Sequence, residues 1–433
     1  MADWRTIYAA RRTTADEAIA RAVRAGQRLL LHGGCAEPQA LVEALVRQRE
    51  RYRDVRLVTQ IIASPVLYAQ PEMWAHLRLE TFMCSANTRE AIRAGQADYI
   101  PANLSDMPGL FRSGRLPVDV ALIQVSPPDA HGYCSLGLMV DFTKAGVEQA
   151  RVCIAQVNRH MPRAHGDCFV HVSRLDHIVE DDRPLLTVKP TAIGPVEEAI
   201  GRHIAALVND GDTIQFGIGA IPDAALRALI GKRDLGIHSG LLSDTVVDLV
   251  EAGAISGRRK AVLPGKIVST AAVGTRRLYD AMHDNPLFAM MPSDFTHHIG
   301  VLAQLDNFVS INSALQVDLT GQVNAETLGT LQIAGTGGGA DFVRGAAAAR
   351  NGRSIMALPA TAGGGKHSRI VAQLDAGAAV TTPRADVHYV VTEYGVADLK
   401  GKSRRERAAA LIAIAHPDFR PQLEEAARLF GKH

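Results

Sequence analysis

The sequence predicts an α/β protein of two related halves, each built on an open, mostly parallel sheet. Three observations predict this. Short apolar runs alternate with helical patterns along most of the chain, as they do where helices cover both faces of a parallel sheet. The order helix, strand, glycine turn, proline, helix occurs twice, once over residues 14–47 and again over 198–230. A cluster of breakers, Pro184, Pro190, Gly194 and Pro195, separates the two occurrences. The expected domains are therefore 1–188 and 189–433.

In the first half, Thr14-x-x-Glu17 is a capping box opening a helix that carries Ala18-Ile19-Ala20-Arg21. Gly26 and the run Leu29-Leu30-Leu31 follow. The turn His32-Gly33-Gly34-Cys35-Ala36-Glu37-Pro38 then leads into a helix over 39–47. Further strands are expected at 56–59, 118–125, 152–157 and 169–172. The second half opens with a helix around Glu198-Ala199-Ile200-Gly201-Arg202. Next come Gly211, a strand at Thr213-Ile214-Gln215-Phe216, the turn Gly217 to Pro222, and a helix over 223–230. Strands are expected at 354–358 and 387–391. A helical tail from Ser403 to Gly431 is interrupted near His416-Pro417.

The 433 residues are 47% apolar and 21% charged, enough for a sizeable core and two or three domains. A net charge of +2, with no basic stripe interleaved with aromatics, argues against a nucleic-acid partner. Lys400, Lys402, Arg404, Arg405 and Arg407 read as a solvated helix face. The first 25 residues lack the apolar core of a signal peptide, and no apolar run reaches about 18 residues, so no membrane association is expected. Five widely spaced cysteines without a CxxC fit a reducing cytoplasm rather than disulfides or zinc. No metal site is expected.

Several loops have the composition of ligand loops. Gly217-Ile218-Gly219-Ala220-Ile221-Pro222 is either an ordinary strand-to-helix turn or a place where backbone N–H groups meet a ligand. Pro222 replaces the third glycine of a dinucleotide fingerprint, so that reading is excluded. Ser126 to Gly137 is a stiff polar loop in which Asp129 and His131 serve the backbone or a ligand. Gly335-Thr336-Gly337-Gly338-Gly339 and Ala362-Gly363-Gly364-Gly365-Lys366-His367 lie inside apolar α/β patterns, where glycine permits close backbone approach. Lys366 and Arg369 are either phosphate contacts or surface charges. Asn312 either orients a carbonyl or satisfies backbone. There is no GxSxG elbow, and sixteen histidines are too many for spacing to single one out.

Taken in order, these segments, with Ala86-Asn87-Thr88-Arg89-Glu90, Ile311 to Gln322 and Thr392-Glu393-Tyr394-Gly395-Val396-Ala397, resemble the acetyl-CoA hydrolase/CoA-transferase family of the 4-hydroxybutyrate type. The resemblance spans about Gly26 to Pro417. It implies two related domains of the CoA-transferase type with an active site between them. The C-terminal domain would carry the CoA site, and the assembly would be a homodimer or larger. The substrate would be coenzyme A, as an acyl-CoA thioester. In the family a glutamate attacks the acyl-CoA, and a glutamyl-CoA thioester then passes CoA to an incoming carboxylate. Carried over by position, amides near Ile218 and Gly338 would form the oxyanion hole, and Asn312 would sit beside the acyl group. Gly217, Gly219, Gly337, Gly339, Gly364 and Lys366 complete the expected cofactor contacts.

The departure is at His238-Ser239-Gly240, where the family reads His-Ser/Thr-Glu. Gly240 offers no carboxylate. The family often has glutamine where Gly339 stands and a small or apolar residue where His367 stands. Glu37 and Glu326 look family-like in place, so neither reads as a new nucleophile. Three functions follow. The first is acyl transfer from CoA to a small-molecule, non-carboxylate acceptor without a glutamyl intermediate, with His238 or His367 as base. The second is a conventional CoA-transferase or hydrolase with an altered nucleophile position. The third is a non-catalytic acyl-CoA-binding remnant.

Overall fold

The computed structural model describes residues 3–428, in two compact units. The first comprises Met1–Lys189 and Val268–Thr296, the second Pro190–Ile267 and His297–His433. The chain thus returns to the first unit after starting the second, a return that the expected contiguous division at 188/189 does not contain.

In the first unit seven strands lie in the order His177–Glu180, Val152–Val157, Val120–Val125, Arg28–Leu31, Val55–Thr59, Leu77–Thr81, Ala97–Tyr99. Every neighbouring pair is parallel. The first strand in sequence lies at the centre, and the sheet grows from it in both directions. All six residues of Val120–Val125 are buried, as a strand covered on both faces requires. Leu41 and Leu45 of the helix Gln39–Arg47 join Leu29, Leu31, Leu57 and Leu122 in the core. Thr14 caps the helix Ala15–Ala22 as expected, its Oγ1 accepting from the Glu17 N–H at 3.2 Å.

The second unit repeats the plan. Its strands run Gly395–Asp398, Tyr389–Thr392, Arg353–Ala357, Phe308–Ser313, Thr213–Phe216, Gly236–His238. All of these pairings are parallel except that of the edge strand Gly395–Asp398. Thr213–Phe216 comes first in sequence and is again internal.

Two expected elements need correction, and two strands were not expected. The helix expected at 223–230 spans Ala220–Ala228, because Pro222 falls in the first turn, where its missing N–H breaks no intrahelical bond. The strand expected at 169–172 is Phe169–His171, paired antiparallel with Tyr133–Ser135 outside the main sheet. Leu77–Thr81 and Ala97–Tyr99 are strands the apolar pattern concealed, since Arg78 and Asp98 pair across them. The tail is helical and interrupted where expected, dividing into Arg404–Ala413 and Arg420–Arg428 around a turn at Pro417–Phe419, and Gly431 lies outside the described residues.

Candidate active site

The second sheet has one topological reversal. Thr213–Phe216 and Phe308–Ser313 are parallel neighbours, and the chain builds outward from them on opposite sides, to Gly236–His238 and to Arg353–Ala357. In open α/β sheets the crevice at the carboxyl ends of such strands is where ligands bind. The register pairs Phe216 with Ile311, so Asn312 and Gly217 stand together just beyond the ladder. Asn312 exchanges amide hydrogen bonds with Gln215, Gln215 Nε2 to Asn312 Oδ1 at 3.3 Å and Asn312 Nδ2 to Gln215 Oε1 at 3.2 Å.

The surrounding loops are fixed to these strand ends. The Ser239 hydroxyl donates to the Phe216 carbonyl at 2.9 Å and accepts from the Phe216 N–H at 3.3 Å. The turn Gly217–Gly219 leads directly into the helix Ala220–Ala228, and Ile218 is 43% exposed. One Asp223 oxygen accepts from Ser243 at 3.0 Å and Thr245 at 3.1 Å, tying that helix to the segment after Gly240. On the other side Gly338 caps the helix Gly339–Ala348. A Cβ placed on Gly339 would lie 3.7 Å from Asn312 Oδ1.

Gly240 and Gly338 both face one histidine. A Cβ on Gly240 would lie 2.8 Å from His297 Nε2 and 3.3 Å from Phe342 Cε2. A Cβ on Gly338 would lie 2.4 Å from both Nε2 and Cδ2 of the same ring. Real Cβ atoms do not approach so closely, so the imidazole occupies space that a side chain at either position would claim. His297 is 1% exposed. Its ring centroid is 4.4 Å from that of Phe342, which packs with Leu302, Leu305 and Phe308. The sequence reading missed His297, because Thr296-His297-His298 has no spacing that marks it. Only the missing side chain at 240 signalled that something else fills this space.

The structure brings Gly240, Gly338, Gly339 and Asn312 into this neighbourhood, with Gly217 next to Asn312 by strand register. Gly337 adjoins it in sequence. His238 is fully buried at the end of its strand. Gly364, Lys366 and His367 are instead exposed, on the hairpin formed by Thr361–Ala362 and His367–Ser368. Lys366 and His367 line a cleft of about 580 Å³ with Gln316, Arg369, Phe419 and Leu423. Arg369 donates to the Ala314 carbonyl at 3.4 Å, its Nε has no hydrogen-bond partner among the described residues, and burial pushes its pKa down.

Glu37 and Glu326, the two glutamates weighed as replacement nucleophiles, have other partners. Glu326 accepts from Gln332 Nε2 and Thr336 Oγ1, each at 3.3 Å, which orders the loop leading to Gly337. Glu37, in the first unit, accepts from Ser64 at 2.9 Å and Tyr68 at 3.2 Å, and burial raises its pKa to about 7. Asp129 also serves the backbone, accepting from the His131 and Tyr133 N–H groups at 2.8 and 3.0 Å. Among the described residues no group of histidine, cysteine and acidic side chains is arranged to hold a metal, and no helix is long and apolar enough to cross a membrane.

The acetyl-CoA hydrolase/transferase N-terminal domain matches residues 2–190, and the C-terminal domain of the same family matches residues 274–427. The chain belongs to the acetyl-CoA hydrolase/transferase family. It is 48% identical to the 4-hydroxybutyrate coenzyme A transferase of Clostridium kluyveri, over 97% of this chain and 98% of that protein. It is 44% identical to the succinyl-CoA:cyclohexane-1-carboxylate CoA transferase of Geobacter metallireducens, over 95% and 94%. The crystal structure of RipA from Yersinia pestis superposes with a TM-score of 0.95 at 37% identity, covering 99% of each chain. Membership bears out the expected α/β fold and the expected class, a transferase acting on acyl-CoA.

Proposed function

We propose that this family member transfers the acyl group of a CoA thioester to an acceptor other than a carboxylate, without a glutamyl-CoA intermediate. The observation that carries the reading is Gly240 packed against His297: the position has no carboxylate, and the imidazole fills the room one would need. Loss of a covalent nucleophile costs on the order of 10⁴ to 10⁶ in rate for the route that uses it, so a different route must carry any turnover.

In this reading the thioester carbonyl sits at the reversal between Phe216 and Asn312. Amides of the Gly217–Gly219 and Gly337–Gly339 loops stabilise the oxyanion, and the Asn312 amide, held by Gln215, orients the acyl group. Lys366 and Arg369 supply positive charge to the phosphate-bearing part of CoA in their cleft. The acceptor attacks the thioester carbon, the tetrahedral intermediate expels CoA thiolate, and a proton from the acceptor ends on sulfur.

Mass spectrometry tests the reading. Short acyl-CoAs are mixed with water, amine, alcohol or carboxylate acceptors, and products and intact protein are followed. Consumption of acyl-CoA with a non-carboxylate product and no hydroxylamine-sensitive protein adduct is expected. A second reading has support in the named relatives, one of which transfers CoA to cyclohexane-1-carboxylate. It requires ping-pong kinetics and a hydroxylamine-sensitive protein thioester. Tight CoA binding with no turnover on any acceptor would instead mark a binding remnant.

A further inference from the structure

We propose that His297 is the proton-transfer catalyst of this site and stands in the space that the absent side chain of Gly240 leaves. The inference rests on the acyl-transfer reading above and names the base that reading needs.

Three observations converge on this residue. The Nε2 edge of the ring is directed at two glycines from different loops, at 2.8 Å from the Cβ position of Gly240 and 2.4 Å from that of Gly338. Neither loop tolerates a side chain without displacing the ring. The Gly338 loop continues into Gly339, which abuts Asn312, so the imidazole lies on the same wall as the amide pair at the sheet reversal. The ring is also held in register by Phe342 within an apolar cluster, which sets its orientation in advance, as general-base catalysis needs. The two histidines favoured by sequence lack this combination. Neither ring is among the nearest neighbours of Gly240 or Gly338, and His367 is on an exposed hairpin.

The chemistry balances within the site. An imidazole nitrogen of His297 takes the proton from an O–H or N–H of the acceptor, directly or through one intervening water, as the acceptor's oxygen or nitrogen bonds to the thioester carbon. The carbon–sulfur bond then breaks, and the imidazolium returns that proton to the CoA thiolate. The products are acylated acceptor and free CoA, with His297 neutral again. At 1% exposure the ring admits only a small group to contact, which favours a slim acceptor or a bridging water.

The test is the pH dependence of acyl-CoA turnover in the full-length protein and in His297→Gln and His297→Ala. The expected result is a fall of about 10²- to 10⁴-fold in kcat/KM. The acid limb of the pH profile should disappear, and added imidazole should partly restore the alanine variant. A glutamine variant with the original rate and profile overturns the proposal, as does a fall in rate that leaves the profile unchanged. Absence of turnover in the unaltered protein overturns the acyl-transfer reading itself, which keeps the two failures distinct. A second comparison needs no residual activity. Gly240→Glu alone should gain no hydroxylamine-sensitive acyl or CoA adduct, because its side chain meets the ring, whereas Gly240→Glu with His297→Ala should gain one. Equal labelling of the single and double variants would show that His297 does not hold that space, and would overturn the proposal.

Discussion

Gln215 and Asn312 hold each other's amides across two adjacent parallel strands, where the order in which the chain adds strands to the second sheet reverses. Each side chain satisfies the other, so each remains fixed at the mouth of the crevice with hydrogen-bonding capacity to spare. Replacing Asn312 by alanine leaves Gln215 without this partner. The expected loss is about 1–3 kcal/mol of stability, since both hydrogen bonds go and the buried Gln215 amide loses its partner. Turnover of acyl-CoA should fall further, by roughly 10²-fold, as for removal of a polarising donor. Urea unfolding and steady-state kinetics on the same preparation separate the two effects.

A methyl group at position 240 is expected to be felt immediately. Gly240→Ala puts carbon 2.8 Å from His297 Nε2, and the ring is backed by Phe342, so it has little freedom to retreat. A cost of about 1–3 kcal/mol is expected, as for overpacking of a filled core. Gly231→Ala is the control, since a Cβ there meets nothing within 4 Å. Denaturant midpoints of the two variants should differ clearly, and similar midpoints would show that the ring yields.

The cleft beside the glycine hairpin yields a binding prediction. Removing both cations, with Lys366→Ala and Arg369→Ala, should raise KM for acyl-CoA about tenfold and leave kcat nearly unchanged. An interaction that serves ground state and transition state alike behaves in this way. The effect should shrink at high ionic strength, because Lys366 is exposed and its field is screened. A change confined to kcat would place the thioester elsewhere.

The sequence carried the fold because its strands are short apolar runs followed by glycine turns. Val120–Val125 and Thr213–Phe216 are buried along their whole length and read as strands for that reason. Leu77–Thr81 did not, because Arg78 and Glu80 interrupt its apolar run while pairing with Asp98 and Arg28 of other strands in the sheet. The site was legible in its backbone parts and not in its side-chain chemistry. Glycine runs advertise close approach, whereas the residue that approaches Gly240 comes from position 297, far away in sequence, and leaves no local periodicity.

Glu37 makes a pH prediction of definite sign. Burial raises its folded-state pKa to about 7, above the ordinary carboxylate value of 4.5. The folded state therefore keeps a proton that the unfolded chain releases. This stabilising contribution is complete below about pH 4.5 and is lost as pH rises to about 7. At about 1.4 kcal/mol for each pKa unit, the whole change is on the order of 3 kcal/mol. Glu37→Gln, neutral at every pH, should lack this part of the pH dependence and exceed the parent in relative stability above pH 7. Thermal unfolding from acid to alkaline pH measures the difference directly.

The return of Val268–Thr296 to the first unit has a consequence for the timing of synthesis. Although most of that unit is complete at Lys189, its last segment is translated only after Pro190–Ile267 has emerged. A nascent chain that has passed residue 189 still lacks part of its first folded body, and must wait several seconds at ordinary elongation rates before supplying it. During that interval the unit's surface awaiting 268–296 is open to chaperones and to aggregation. A gene cut at residue 189 would make the interval permanent.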